Sequence, residues 1–287
     1  MPELPEVEVV KRSLKSVINN LKIKKVTVNT NKLRYHVDKK QLLKTINKKI
    51  LSVNRRSKYL LINLEKNITI LCHLGMTGKF FIVSKNKTKK TCFYYKLTEK
   101  DDKHNHIIFY LNKNIKLIYN DVRKFGFIKI VQSNNINKIN HLKDLGPEPL
   151  SNTFNADYFA KYIVNKKRPI KNVLMDQKFV AGLGNIYVNE ILFFCKLYPL
   201  LKINKINKTG IKRIVSFTKK ILKKSIKEGG SSIKDFKDTR GTTGVFQQYF
   251  KVYGREGKNC LKAHCSGIIE KIIISNRSTF YCKSCQK

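Results

Sequence analysis

Residues 24–131 form a succession of short β-branched and aromatic runs, and this pattern constrains the fold more than any other feature of the chain. The runs alternate with Asn, Lys, Gly and Asp, and they read KKVTVNT, ILSVNRR, YLLINL, ITILCHL, KFFIV, CFYYKL, HIIFYL, IKLIYN and FIKIV. A two-residue period with frequent turn residues is typical of antiparallel sheets. We therefore predict an antiparallel β-sandwich or barrel as the core of a first domain, residues 1–131.

Helical periodicity lies on both sides of this β region. EVEVVKRSLKSVINNL repeats apolar residues three and four apart, which predicts an amphipathic N-terminal helix. After a polar linker, residues 132–150, the helical period returns in NADYFAKYIVNKK, PIKNVLMDQK, NIYVNEILFFCKL and KTGIKRIVSFTKKILKKSIKEGG. The sequence thus predicts an α+β protein of two domains, with a helical region at residues 151–250 and a cysteine-bearing module at residues 251–287. Between them, the first part of KDFKDTRGTTGVF is predicted to be a mobile loop.

The composition points to a polyanionic partner. At 287 residues, of which 41% are hydrophobic, the chain is long enough for two cores. Its 60 Lys and Arg residues against 19 Asp and Glu give a formal charge of +41, which destabilises a compact state unless a polyanion is bound. Nucleic acid is the expected partner, and biased codon usage is an alternative source of part of the charge.

The chain shows neither a run of about eighteen apolar residues that would span a membrane nor the apolar core of a secretory signal. We therefore expect a cytosolic protein. Because disulfides are rare in the cytosol, the seven cysteines are expected to be thiols or metal ligands. Cys72, Cys92 and Cys195 are isolated in apolar stretches and are predicted to pack in the core.

Two close cysteine pairs lie in CLKAHCSGIIEKIIISNRSTFYCKSCQK, and four thiolates at this spacing suit one tetrahedral structural zinc ion. The predicted ligands are Cys260, Cys265, Cys282 and Cys285. The first pair is spaced C-x4-C, so His264 is an alternative ligand, although four cysteines need no change of register. The residues between the pairs predict a β-hairpin with Arg277 at its tip, as a solvated charge or a phosphate clamp.

Two further segments place basic or flexible side chains at turns. RRSKYLLI puts Arg55, Arg56 and Lys58 where one strand ends and the next begins, a pattern that alone is typical of a solvated edge. HLGMTGKF places Met76 in a glycine-flanked turn. A methionine in such a turn either fills the core or, in a DNA-binding protein, enters the base stack as a wedge.

NDVRKFGF sets Arg123 and Phe125 beside each other at a turn. They form either a charged turn with one buried ring or a groove where a guanidinium meets phosphate or base and the ring stacks.

FVAGLGNIYVNEI is a glycine-rich turn that opens a helix. Its backbone N–H groups and Asn185 either bind a phosphate or form a plain packing joint.

Taken in order, MPELPEVE, RRSKYLL, HLGMTG, DVRKFG, LGPEPL, VAGLGNIYVNE, EGGSSIKDF, VYGREG and the terminal cysteine cluster resemble the bacterial formamidopyrimidine-DNA glycosylase family. The resemblance implies an N-terminal antiparallel β-sandwich with an N-terminal helix, then a helix-two-turns-helix domain with a zinc finger hairpin, and DNA held in the cleft between them. It implies base excision repair, in which oxidised purines (8-oxoguanine and formamidopyrimidines) are excised from damaged double-stranded DNA and the abasic site is cut by β,δ-elimination. Such an enzyme is expected to be a monomer in the bacterial cytosol, associated with the nucleoid, with one structural zinc ion and no redox or nucleotide cofactor.

The same resemblance gives the chain start a chemical role. Pro2 becomes the nucleophile once Met1 is removed, because a secondary amine that attacks C1′ forms an iminium directly. An α-amino group with a pKa near 7.7 to 8.0 is roughly a tenth or more neutral at pH 7. Glu3 is the general acid that protonates the sugar oxygen, and Glu6 supports it from the same side of the first helical turn. Helix capping is the alternative role for both acids.

Further catalytic and wedge residues follow from the resemblance. Lys58 matches the lysine assigned to β-elimination and phosphate contact, and Arg277 matches the finger arginine assigned to δ-elimination. Met76, Arg123 and Phe125 match the residues that fill the space left by the flipped-out nucleotide, whose extrusion costs stacking and pairing energy.

The resemblance also assigns DNA contacts to His104, in KHNH, and to Lys166, in VNKKRP. His106 is the nearest competitor for the first of these roles. Asn185 is expected to hold a backbone phosphate. Reading of the damaged base is assigned to the loop within KDFKDTRGTTGVF.

Val122 and Lys124 stand where the family commonly has proline and a second arginine, which predicts a looser turn and weaker recognition of the opposite base. One alternative function is an endonuclease VIII type enzyme for oxidised pyrimidines, but Leu4, Met76 and Phe125 favour the purine enzyme. The other alternative is a zinc-bearing DNA-binding protein that has lost catalysis, and it would require the loss of catalytic residues that this sequence retains.

Overall fold

The computed structural model describes residues 1–84, 87–90, 99–231 and 246–287. The chain divides into an N-terminal unit, Met1–Lys143 with Glu228–Gln247, and a C-terminal unit, Asp144–Lys227 with Gln248–Lys287. The stretch Glu228–Gln247 groups with the N-terminal unit, whereas the sequence assigns it to the helical region. Cys92, the run CFYYKL and the predicted loop KDFKDTRGTTGV lie outside the described residues.

The N-terminal unit begins with the predicted amphipathic helix α1, Leu4–Ile18. The helix starts before the apolar repeat because Glu3 and Glu6 form a capping box and Pro5 stands in the first turn, where no intrahelical N–H bond is lost. Its apolar stripe is buried, and its last turn leads to Asn20, which has a left-handed backbone.

Nine strands of this unit are described, and a short helix α2, Lys39–Leu43, lies among them. In chain order the strands are β1 Ile23–Val28, β2 Ile50–Arg56, β3 Tyr59–Leu64, β4 Ile68–His73, β5 Lys79–Ser84, β6 Lys87–Lys90, β7 Asn105–Leu111, β8 Ile115–Asn120 and β9 Phe127–Gln132. They form two antiparallel sheets of order β1-β7-β8-β5-β6 and β2-β3-β4-β9. The sheets confirm the predicted antiparallel fold.

Tight turns set the register of two hairpins. Residues 65–67 join β3 to β4, and residues 112–114 join β7 to β8. The last two residues of each turn have positive φ values, which match the twist of the flanking strands. One hydrophobic core unites both sheets with α1, through residues such as Val10, Val53, Leu60, Ile107 and Phe109.

The C-terminal unit contains four helices and one described hairpin. The helices are α3 Ala156–Ile163, α4 Ile170–Met175, α5 Asn185–Cys195 and α6 Lys208–Lys227. α5 is buried on nearly all sides and packs against α4 and α6. The hairpin strands β10 Ile269–Ile274 and β11 Arg277–Cys282 are joined by Ser275 and Asn276, both with positive φ. Among the described helices, none combines the length and apolar character that a membrane crossing requires.

Candidate functional site

Glu6 fixes the chain start in the N-terminal unit. One carboxylate oxygen accepts the N–H of Glu3 at 2.8 Å, and the other accepts the N–H and the hydroxyl of Ser231, each at 2.9 Å. Pro2, Glu3 and Glu6 are buried. Glu6 is therefore a structural support that ties the first helical turn to Ser231, a residue far along the chain.

Lys58 lies in the turn between β2 and β3 and is buried. The preceding Ser57 has a φ of +54°, which reverses the chain. Arg55, at the end of β2, donates to the Ser57 carbonyl at 2.8 Å and to Glu8 of α1 at 3.0 Å. The backbone turn that carries Lys58 is thus braced against the N-terminal helix.

The Glu8 carboxylate also accepts bonds from Lys11 and Arg12, each at 3.0 Å. Burial alone would raise the pKa of Glu8, but the hydrogen bonds from Lys11, Arg55 and Arg12 outweigh it and lower the pKa. Glu8 is therefore an anion at neutral pH that joins α1 to the Lys58 turn.

Met76 projects from the turn that follows β4. Gly75 has a φ of +61°, and a Cβ at this position would collide with the backbone of Phe125 and Gly126, so the turn requires glycine. The Gly75 N–H donates to Nδ1 of His73 at 3.1 Å. Burial, with smaller contributions from nearby positive groups, lowers the pKa of His73 to about 4, which keeps the ring neutral as an acceptor at pH 7.

A second turn, between β8 and β9, packs against the Met76 turn. The hydroxyl of Thr77 donates to the Asp121 carboxylate at 2.5 Å and accepts the N–H of Arg123 at 3.0 Å. These bonds anchor the turn that carries Val122 and Lys124, the two departures from the family pattern. The predicted effect of those departures on recognition of the opposite base stays a prediction.

The two turns and the chain start line one recess of about 550 Å³. Met76 is 39% exposed and Phe125 is 47% exposed, so both apolar side chains are presented at the surface. The guanidinium of Arg123 lies 4.6 Å from the centroid of the Phe125 ring. The recess lining includes Met1, Arg34, His73, Met76, Arg123 and Phe125. The structure thus brings together the three residues predicted to fill the space left by a flipped nucleotide.

The amine at the chain start lies in surroundings that favour its neutral form. Burial lowers the pKa of the Met1 amine, Glu3 and Glu6 raise it, Lys58 and Arg123 lower it, and the net effect is a decrease. The neutral form of an amine is its nucleophilic form, and the Pro2 nitrogen becomes such an amine only when Met1 is removed.

His104 and His106 differ in their availability. His104 is half-buried at the end of the 3-10 helix Glu99–His104. His106 is buried, and its Nε2 lies 2.9 Å from the Asp121 carbonyl oxygen, within hydrogen-bonding distance. His104 is therefore the more available of the two for an external contact, and its role at DNA stays a prediction.

Two side chains of the C-terminal unit hold the strand that begins with Arg277. Asn185, the first residue of α5, donates to the Ser278 carbonyl at 2.8 Å. Lys171 of α4 donates to the Thr279 hydroxyl at 2.5 Å and to the Ser278 carbonyl at 3.4 Å. Burial and the nearby Arg277 lower the pKa of Lys171 to about 8. The Thr279 hydroxyl in turn donates to the Arg277 carbonyl at 3.1 Å. Asn185, predicted to hold a phosphate, and Arg277, predicted to act in δ-elimination, thus belong to one hydrogen-bonded cluster.

Arg277 is exposed and follows the two-residue turn directly, as predicted for the hairpin tip. It lines a recess of about 350 Å³ with Arg168, Lys171 and Asn172. Lys166 lies in the lining of neither recess, and its amine lies 4.2 Å from the centroid of the Tyr162 ring.

The four C-terminal cysteines converge so that their sulfur atoms all lie within 4.8 Å of one another. The separations are 3.7 Å between Cys265 and Cys282, 3.9 Å between Cys260 and Cys285, and 3.3 Å between Cys265 and Cys285. The four thiols are positioned to hold a metal ion. The exposed His264 is not part of this group.

Sequence reasoning missed Glu8, Ser231, His73 and Lys171. Glu8 and His73 stand inside the motifs MPELPEVE and HLGMTG, and this position could have indicated their role. Lys171 is one of very many lysines, and nothing in the sequence distinguishes it. Ser231 stands within EGGSSIKDF, but nothing in that segment indicates a partner at the chain start.

Sequence models of DNA glycosylase domains match both parts of the chain. The model of the formamidopyrimidine-DNA glycosylase N-terminal domain matches residues 1–128, and that of the H2TH domain of the same enzyme matches residues 145–237. Among curated relatives, the formamidopyrimidine-DNA glycosylases of Rickettsia bellii and Roseobacter denitrificans are 41% and 38% identical to this chain, with complete coverage of both sequences in each case.

Solved structures agree with the sequence matches. The complex between the Lactococcus lactis Fpg and an abasic site containing DNA has a TM-score of 0.85 at 32% identity over 99% of each chain. A mutant of that protein in complex with a Fapy-dG containing DNA has a TM-score of 0.86 at 32% identity over 100% of each chain. This chain belongs to the formamidopyrimidine-DNA glycosylase family. Membership confirms the predicted fold and favours the purine enzyme over the endonuclease VIII type and non-catalytic alternatives.

Proposed function

We propose that the chain is a bifunctional DNA glycosylase of base excision repair that excises 8-oxoguanine and formamidopyrimidines from double-stranded DNA and then cuts the abasic site by β,δ-elimination. The observation that carries the proposal is the burial of Pro2 and Glu3 next to the Met1 amine, whose pKa is lowered by burial and by the charges of Lys58 and Arg123. Burial of the second and third residues of a chain is unusual, since termini are generally frayed.

The proposed reaction begins when removal of Met1 frees the Pro2 amine. The Pro2 nitrogen forms a bond to C1′ as the bond from C1′ to the damaged base breaks, and the base departs with the proton that the amine loses. Glu3 then protonates the sugar oxygen as its bond to C1′ breaks and the ring opens to the iminium. Lys58 is assigned to β-elimination and Arg277 to δ-elimination. Met76, Arg123 and Phe125 occupy the space of the extruded nucleotide and offset part of its unstacking cost.

The DNA-contact roles proposed from the sequence rest on a different observation for each residue. Arg277 lies in a recess of the C-terminal unit with Arg168 and Lys171, where a phosphate could be bound, and Asn185 is bonded to the next residue of the strand, Ser278. His104 is half-buried, and its neighbour His106 is already engaged at Asp121. The amine of Lys166 lies over the Tyr162 ring. Its role at DNA therefore rests on the family resemblance.

The metal is proposed to be one structural zinc ion held by Cys260, Cys265, Cys282 and Cys285. Zinc–sulfur bonds of about 2.3 Å place the sulfurs of a tetrahedral site about 3.8 Å apart. Three of the six sulfur separations run from 3.3 to 3.9 Å, and all six are within 4.8 Å. Bound zinc would hold the hairpin that carries Arg277. A monomeric enzyme in the bacterial cytosol remains the expected setting.

The test is borohydride trapping with a duplex that contains 8-oxoguanine opposite cytosine. Wild type is expected to form a covalent protein–DNA adduct, and extension of the N-terminus beyond Pro2 should abolish it. Pro5→Ala is a matched control, because Pro5 belongs to the same motif but lies within α1, so its adduct should persist. A wild-type protein that forms no adduct, or an active protein whose mass retains Met1, would contradict the proposal.

A further inference from the structure

The basic face of α6 is a charged surface that the proposed chemistry does not use. We define it by the lysines of this helix: Lys208, Lys212, Lys219, Lys220, Lys223, Lys224 and Lys227. α6 contains no Asp or Glu among its 20 residues. At 3.6 residues per turn these lysines cover about 160° of the helix surface along about 30 Å. In the described part of the chain, five of the seven side chains make no ion pair, hydrogen bond or ring contact.

The other two lysines, Lys219 and Lys224, contact neighbouring residues of the C-terminal unit. The amine of Lys219 donates to the Ser151 carbonyl at 2.9 Å, and that of Lys224 lies 3.8 Å from the centroid of the Tyr249 ring. The remaining lysines are exposed. The arrangement is rigid because the opposite, apolar side of α6 is buried against the rest of the unit.

Like charges on this face oppose helix formation. Lysines three and four residues apart are neighbours on a helix, and same-sign pairs at this spacing destabilise it. Lys219, Lys223 and Lys227 form such a row, and Lys220 and Lys224 form a second. No acidic residue of α6 relieves the repulsion, whereas a bound polyanion would. A helix of this composition is therefore expected to be more stable when it lies against phosphates.

We infer that the basic face of α6 is a contact surface for duplex DNA outside the lesion site, used for binding undamaged sequence. This inference rests on the proposed function for the identity of the polyanion. Duplex DNA carries one charge per about 1.7 Å of its axis, so the length of α6 passes about 18 phosphate charges. An anionic membrane fits less well, because a surface-bound amphipathic helix needs its apolar side free, and that of α6 is buried.

The experiment compares two triple variants that each remove three positive charges. The test variant is Lys212→Gln, Lys223→Gln and Lys227→Gln, three exposed lysines of the basic face. The control is the set of exposed lysines at α2 in the N-terminal unit, each changed to Gln: Lys39, Lys40 and Lys44. The dissociation constant for an undamaged duplex of about 30 base pairs is measured across a potassium chloride series.

Each phosphate contact contributes about 0.9 to the slope of log K against log salt. The α6 variant is expected to reduce this slope by about 2.7 if all three amines reach phosphates, and the α2 control is expected to leave it close to wild type. An equal reduction in both variants, or none in the α6 variant, would overturn the inference. Thermal melting checks folding, and Lys208→Gln with Lys220→Gln repeats the test should the triple variant fail to fold.

Borohydride trapping on a short 8-oxoguanine duplex separates this inference from the proposed function. Both triple variants are expected to form the adduct as wild type does. If wild type forms no adduct but its salt slope depends on the α6 lysines, the proposed glycosylase function is wrong and the inferred DNA surface is retained. A normal adduct without an α6-dependent slope would overturn only the surface.

Discussion

Replacing Glu8 with glutamine removes the anion that joins α1 to the turn carrying Lys58. Glu8 accepts bonds from Lys11, Arg12 and Arg55, each at 3.0 Å. The Glu8 and Arg55 side chains are only 12% and 9% exposed, whereas that of Arg12 is 61% exposed. The pair with Arg55 is therefore the one expected to matter for stability and for the position of Lys58.

The expected loss of stability depends on the hydrogen bonds that Arg55 keeps in the variant. Removing one partner of a buried ion pair costs about 3–5 kcal/mol, while exposed pairs contribute about 0–1 kcal/mol. Arg55 retains its bond to the Ser57 carbonyl, and glutamine retains an acceptor oxygen. We therefore expect Glu8→Gln to lower the free energy of unfolding by about 2–3 kcal/mol at pH 7. This corresponds to a fall in Tm of roughly 5–10 °C for a unit of this size.

The pH dependence follows from the lowered pKa of Glu8. A carboxyl whose folded pKa is depressed stabilises the protein fully above its unfolded value, near 4.5, and loses that contribution as the pH falls through the folded value. The difference between wild type and Glu8→Gln should therefore be complete at pH 7 and should shrink below about pH 4.5.

Urea unfolding at pH 7 and in the acid range measures this difference. Glu65→Gln is a matched control, because the Glu65 carboxylate accepts the exposed Lys49 N–H at 2.9 Å and should cost less than about 1 kcal/mol. Cleavage of preformed abasic DNA should also be slower in Glu8→Gln, since the Lys58 turn loses its brace. Equal losses in both variants at pH 7, or a Glu8→Gln deficit that persists unchanged in acid, would refute the reasoning.

Two further substitutions test the turns and the cysteine cluster. Gly75→Ala should cost more than about 2 kcal/mol and displace the Met76 turn, because strain at positive φ adds to a backbone collision. Gly254 has a φ of +70° and open space around it, so Gly254→Ala should show the cost of backbone strain alone in the same thermal melt. Equal losses of stability in the two variants would contradict a collision at Gly75. Cys285→Ser should lose the zinc measured by elemental analysis, whereas the buried Cys195→Ser should keep it, and zinc retained in Cys285→Ser would argue against the site.

The fold could be predicted well because its elements obey local rules. Alternating apolar residues identified β1 to β5 and β7 to β9, and the three-and-four period identified α1 and α3–α6. β6, with the sequence KTKK, was missed because it has no apolar residue to reveal a buried face. The bounds of α1 were also imprecise, since its first turn is set by capping and proline and not by the apolar repeat.

The candidate site was only partly predictable, because motifs identify which residues are present but not which ones meet. Met76 and Phe125 come from different turns, and their proximity depends on Gly75 packing against the backbone before Gly126. The bond between Glu6 and Ser231 joins residues more than two hundred positions apart. Pairings of this kind depend on the tertiary fold, which no local pattern encodes.

Rare residues carry more information than common ones in such a chain. Against 60 basic residues there are only 19 acidic ones, and several of those acids are buried at joints between elements. Glu6 binds Ser231, Glu8 binds Arg55, and Glu190 accepts three backbone N–H groups from residues 251–253. An isolated acid next to apolar residues was thus a usable signal of a structural joint. Lys171 is equally buried and equally well placed, yet it was invisible among so many lysines, because a residue type that occurs everywhere cannot mark a site.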